Sequence, residues 1–166
     1  DVTLAWTPTT TGLFSIYGKV EMNGDQFEIN NYTARHKLWV YPAGTSGLTV
    51  GDGSQDAPIP VIMRYRHSLY QTLYYAAEMQ GLVGQIAGLQ FYNNFRSELN
   101  DITISIWMGS TTQADLADGW IPADQLTQVF AGQVDFPSGE GIVNILFDQP
   151  FLYLDGGNVV MMVNKS

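Results

Sequence analysis

Hydrophobic and polar positions mark short strand-like runs along the chain, organised around the stretch from Ile86 to Pro122. There Ile86–Tyr92 and Ile102–Met108 predict two strands joined by a polar turn. A Gly-Ser-Thr-Thr break follows, then a short segment anchored by Trp120. Upstream, Val2–Trp6 alternates as far as a break at Thr7–Gly12, and Leu13–Glu21 alternates again, with Phe14, Ile16 and Val20 on one face. Asn23-Gly24 predicts a type I′ hairpin turn, since that pair accepts positive φ. His36–Tyr41 predicts a strand closed by Pro42.

Downstream, strands are predicted at Leu48–Val50, Val61–Tyr65, Tyr70–Tyr75, Gln128–Phe136 and Gly141–Phe147, with Gly132 marking a bulge. Asn158–Val163 is apolar throughout its core, which predicts a central strand covered on both faces. Ala76–Leu82 is too short and Gly-broken for a helix, and Ala123–Leu126, opened by Pro122, predicts a single helical turn. Short strands punctuated by Gly, Pro and Asn, without a long amphipathic helix, predict an all-β fold: an antiparallel β-sandwich or jelly roll. Pro42–Gly47 has linker composition. It divides the chain into a strand segment at 1–43, a linker at 44–47 and a sandwich module at 48–166.

Composition narrows the function. The formal net charge is −9 and the seven Lys and Arg are scattered. Without a basic patch the chain is no nucleic-acid binder, and an anionic membrane surface is disfavoured. The absence of cysteine excludes a disulfide scaffold, thiolate zinc sites and a Cys nucleophile. No run approaches the roughly 18 apolar residues of a membrane span. Charged residues make up only 14%, against the usual ~25%. The polar surface is therefore built from Ser, Thr, Asn, Gln and Gly, as in many extracellular β proteins. The chain opens on Asp1 and is expected to be a piece of a longer secreted precursor.

Candidate chemistry is sparse. Asp52 and Asp56, in the loop Gly51–Asp56, offer two of the six to eight oxygens that calcium needs, or they serve a plain Asp-Gly turn. Asp115, Asp118 and Asp124 cluster around Trp120 as caps and turn formers, or as a carboxylate pair for acid–base work. His36 and His67 have no ligand at metal spacing. On a strand the adjacent His67-Ser68 pair would point to opposite faces, which forbids a relay contact unless the pair sits in a turn. No catalytic set emerges.

The aromatics are the stronger lead. Tyr70, Tyr74, Tyr92, Trp107 and Trp120 come from neighbouring segments and are the candidate ligand-binding residues. Flat aromatic faces stack on sugar rings or anchor protein contacts, although a sandwich core also claims aromatics. By alternation Tyr70 and Thr72 share a face opposite Gln71 and Leu73, and Trp107 lies opposite Ile104 and Ile106.

Two resemblances follow from these motifs. Val2–Pro8, Gly12–Tyr17 and Asn30-Asn31 ahead of a final strand resemble the later half of an Ig-like, cell-adhesion-related module of bacterial surface proteins. From Leu48 onward the chain resembles the β-sandwich module of cleaved-adhesin-type secreted proteins. The carrying motifs are Val50–Gly53, Leu69–Tyr75 with Glu78-Met79, Ile86–Asn93, Ile106–Gly109 with Thr111-Thr112, Gly119–Pro122, Val129-Phe130 with Gly132, and Asn158–Val160. The resemblance implies a secreted, cell-surface setting and carries no catalytic residues. The expected function is a non-catalytic structural or adhesive module, with a carbohydrate-binding module attached to a secreted hydrolase as the alternative. Expected partners are other protein subunits or surface glycans. Unpaired strand edges near residues 2–6 or 36–41 are expected to complete a sheet with a neighbouring subunit.

Overall fold

The computed structural model describes residues 3–51, 57–154 and 156–166. The protein is all-β and antiparallel, and it divides into two compact units, Asp1–Gly47 and Leu48–Ser166.

The first unit is a two-stranded sheet of β1 (Gly12–Ile16) and β2 (His36–Val40), in register from Gly12 opposite Val40 to Ile16 opposite His36. Pairing resumes beyond β1, where Lys19 bridges Tyr32. The alternating run Leu13–Glu21 is thus interrupted rather than one strand. The Asn23-Gly24 turn is closed by Asp25 N–H donating to the Met22 carbonyl, and among its central residues only Gly24 takes positive φ. That is the pattern of a type II turn, not the expected type I′. The return path runs through a 3-10 turn at Glu28–Asn31. Residues 3–8 form no strand: Trp6 packs edge-on against Phe14, with centroids 5.3 Å apart, instead of joining a ladder.

The second unit is sandwich-like. One layer holds four strands in the order β3 (Ser68–Tyr74), β8 (Asn158–Lys165), β5 (Leu99–Thr111) and β6 (Thr127–Phe136). The other pairs β4 (Gly84–Phe95) with β7 (Gly139–Tyr153). Inward residues of the two layers form one core, in which Ile104, Ile106, Val159, Met161 and Val163 meet Val143, Ile145 and Phe151. The strict alternation at Gly141–Phe147 buries Val143 and Ile145 and exposes Ile142 and Leu146. Strand β8 is central and Val159–Val163 are all buried, as an apolar run covered on both faces requires.

Three irregularities shape the sheets. In β6 the extra residue is Val129, where Ile106 pairs with Phe130 and Trp107 with Gln128; Gly132 pairs in register with Ile104, so the bulge is not at the glycine. In β5 a second bulge lies at Asn100-Asp101, where Asp101 adopts φ 57° and donates its N–H to Asp135 Oδ1. Between β4 and β7 the register shifts between Ile86 and Gly88, opposite the Phe147–Pro150 stretch of β7. A Cβ on Gly88 would stand 2.6 Å from the Ile145 carbonyl oxygen, so glycine there permits close backbone approach.

The strands expected at Leu48–Val50 and Val61–Tyr65 do not form. Val61 is nonetheless buried and Leu48 and Met63 pack on the same core, so this segment covers apolar area without joining a ladder. Its few hydrogen bonds are local, Ile62 N–H donating to Ser68 Oγ at 3.2 Å and Tyr65 N–H to the Ile62 carbonyl.

Candidate functional site

The four-stranded layer has an outer face whose composition follows from alternation and register. Leu69 of β3, Asn164 of β8 and Ser105 of β5 form one row across it. Gln71, Met162 and Trp107 form the next, and Leu73, Val160 and Gly109 the third. This face is largely apolar, so it needs a cover. Residues 112–126, between β5 and β6, supply it.

The covering strap is held by side chains that reach its backbone. Gln71, only 6% exposed, donates from Nε2 to the Ile121 carbonyl at 2.9 Å and accepts the Ile121 N–H on Oε1 at 2.8 Å. One side chain thus copies both bonds of a ladder pair. Nearer β5, Asn158 Nδ2 donates to the Gln113 carbonyl, and Gln113 Nε2 donates to the carbonyls of Asp115 and Gly119. The helical turn expected after Pro122 is a 3-10 turn, Ala123–Gln125. Leu126 then descends onto the sheet, so close to Gly109 that a Cβ there would meet its Cδ2 at 2.6 Å.

Sheet and strap leave an open groove of about 440 Å³ between them. Leu69, Trp107, Met162 and Asn164 line it from the sheet, and Trp120, Ile121, Pro122 and Ala123 from the strap. Trp107 is half-buried, whereas Trp120 remains 49% exposed although the backbone beside it is tethered.

The five candidate aromatics therefore do not form one site. Trp107 and Trp120 share this groove. Tyr70 and Tyr74 lie on the opposite, core-facing side of β3, paired with Val163 and Val159. With Ile59, Pro60, Phe91, Tyr92 and Met161 they border a smaller hollow of about 160 Å³. Burial, with Tyr70 and Glu78 beside it, pushes the Tyr74 phenol up to about 12. Tyr92 is 83% exposed and sits at the rim. Sequence reasoning missed Gln71 and Asn164. Alternation put Gln71 on the face away from Tyr70, but nothing local shows that its partner is Ile121, fifty positions away.

Asp115 and Asp124 belong to turns, and both histidines are exposed. Asp115 Oδ1 accepts the Ala117 N–H, and Gly119, at φ 125°, donates its N–H to the Leu116 carbonyl. Asp124 lies in the first turn of the short 3-10 element. His36 is exposed on β2, and His67 is exposed in the turn before β3. Among the described residues no group of three or more His, Asp or Glu side chains is placed to hold a metal ion, and Asp52 and Asp56 lie outside those residues. No helix among them is long and apolar enough to cross a membrane. No family model matches the chain, and neither a curated protein nor a solved structure matches it.

Proposed function

We propose that the chain is a non-catalytic structural or adhesive module of the cell surface, held in place by contacts with other protein subunits. The observation that carries this reading is the two-stranded layer of the second unit. Among the described strands β4 hydrogen-bonds to β7 alone, and its twelve residues contain neither a charged side chain nor a proline. Edge strands are ordinarily protected by such residues, and an unprotected edge is a template for another strand. The outward face of the same pair carries exposed apolar side chains, Tyr92 opposite Ile142 with Leu146 and Leu152 further along β7, around the hydrogen-bonded pair Gln90 and Asn144. Exposed apolar surface of this kind marks protein contact. The low content of charged residues supports an extracellular setting.

Light scattering with negative-stain imaging tests this reading. Oligomers or filaments that dissociate in the double variant Tyr92→Lys, Ile142→Lys support it. A monomer at every accessible concentration, with no partner strand protecting the β4 edge amides from exchange, overturns it.

A further inference from the structure

The groove between the outer sheet face and the strap lies apart from the β4 edge on which the proposed assembly rests. We propose that it takes a neutral pyranose unit of a glycan, with Trp107 and Trp120 as the stacking surfaces and Asn164 as the polar anchor.

Three features of the groove point to that ligand class. The first is preorganisation. A half-exposed indole on a loop would ordinarily be free to collapse onto apolar surface, but the backbone next to Trp120 is fixed by the two bonds from Gln71. Presenting a large, stiff aromatic without ordering cost is how binding surfaces gain affinity. The second is the lining. It combines two indoles, the apolar side chains of Leu69, Met162 and Pro122, and one amide, and none of the lining residues is ionisable. A pyranose matches this pattern, since its C–H faces stack on aromatic rings and its hydroxyls require a group that can both donate and accept. A side-chain amide does both. Asn164 is half-buried and its side chain makes no hydrogen bond among the described residues, so its donors and acceptor are available. The third is size and charge. A volume of about 440 Å³ falls within the roughly 300–1,000 Å³ of small-molecule sites. The net charge of −9 disfavours acidic sugars.

A proline-rich peptide is the competing occupant of an aromatic groove. Its prolines carry carbonyl acceptors but no N–H, so a proline seated at Asn164 would use the donor and leave the acceptor idle.

The test is an NMR titration of the whole chain, following its four indole N–H resonances, with cellohexaose and mannohexaose as neutral probes. Hexagalacturonate serves as the acidic probe and a proline-rich decapeptide as the competitor. Saturable shifts confined to Trp107 and Trp120 are expected with at least one neutral sugar, with Kd on the order of 0.1–1 mM. The acidic sugar should bind at least about tenfold more weakly. Trp120→Ala should weaken binding about tenfold or more. Asn164→Leu should do the same while leaving both indoles in place and the far-ultraviolet spectrum unchanged. That variant separates a sugar site from a merely apolar groove, in which added leucine would maintain or tighten binding. Unmoved indoles with both neutral sugars overturn the proposal, and so does saturation by the peptide alone. Sugar binding unaffected by Trp120→Ala and by Asn164→Leu also overturns it.

Discussion

Gln71 carries the strongest prediction, because one buried side chain holds the strap through two bonds to a single residue, Ile121. Gln71→Leu retains most of the volume and removes both partners. If the strap stays down, the Ile121 N–H and carbonyl each forfeit a partner, at about 1–3 kcal/mol per buried group. If it lifts, water satisfies them but the burial of Ile121 and Val160 is lost. The cheaper route sets the result, and a half-exposed strap can lift at a cost of about 2 kcal/mol. With a urea slope of about 2 kcal/mol/M, the midpoint of the second unit falls by about 1 M. Gln71→Glu refines the test. A carboxylate still accepts the Ile121 N–H but cannot donate to the Ile121 carbonyl, whereas the protonated acid can do both. Burial and the facing carbonyl raise its folded-state pKa above the unfolded value of about 4.3. Its stability is therefore fully present below that unfolded value and is lost as pH rises through the folded one. Urea melts followed by tryptophan fluorescence, each referred to the unmodified chain at the same pH, should show a deficit near neutrality that shrinks toward about pH 4. An unchanged midpoint for Gln71→Leu, or a Gln71→Glu deficit that does not shrink in acid, would refute the clamp.

Gly88→Ala should destabilise the second unit by about 2–3 kcal/mol, because the added carbon meets the backbone of Ile145, which no rotamer relieves. In the same urea assay Gly132→Ala, whose Cβ meets only the tip of the Phe130 ring at 3.1 Å, should change stability by no more than about 0.5 kcal/mol. Absorbance titration should reveal one tyrosine ionising near 12, absent from Tyr74→Phe. Its folded pKa is raised, so its contribution to stability is intact below about pH 10 and disappears as pH rises through the folded value. At the β5 bulge, Asp101 sits at φ 57°. Asp101→Val should lower stability by about 1–2 kcal/mol, and Asp101→Gly should not, as thermal melts will show.

Strand identity was largely legible, since burial of alternate positions is a local property of a strand. Leu99–Thr111 and Gly139–Tyr153 extend segments whose alternation is plain, and the apolar Asn158–Val163 run reads directly as an interior strand. The strand pattern failed where apolar residues lack a partner strand. Val61–Tyr65 has the composition of a strand, but it meets the core as an irregular cover, and the alternating run that ends at Trp6 forms no strand over residues 3–6. The turn at Asn23-Gly24 was recognisable, but its type depends on the path beyond it, which runs through a 3-10 element at Glu28–Asn31 before Tyr32 bridges Lys19.

What the sequence determines by itself is which side of its own strand each residue faces. Hence Trp107 stands away from Ile104 and Ile106, and Gln71 away from Tyr70, before any strand is paired with another. Which strands are neighbours, and in what register, is decided only by the tertiary structure. The Gln71–Met162–Trp107 row joins residues from three distant segments. The groove needs that row together with a strap fixed by a contact between positions 71 and 121. Period two is a short-range signal set by backbone geometry. The groove arises from long-range pairing, which local periodicity does not encode.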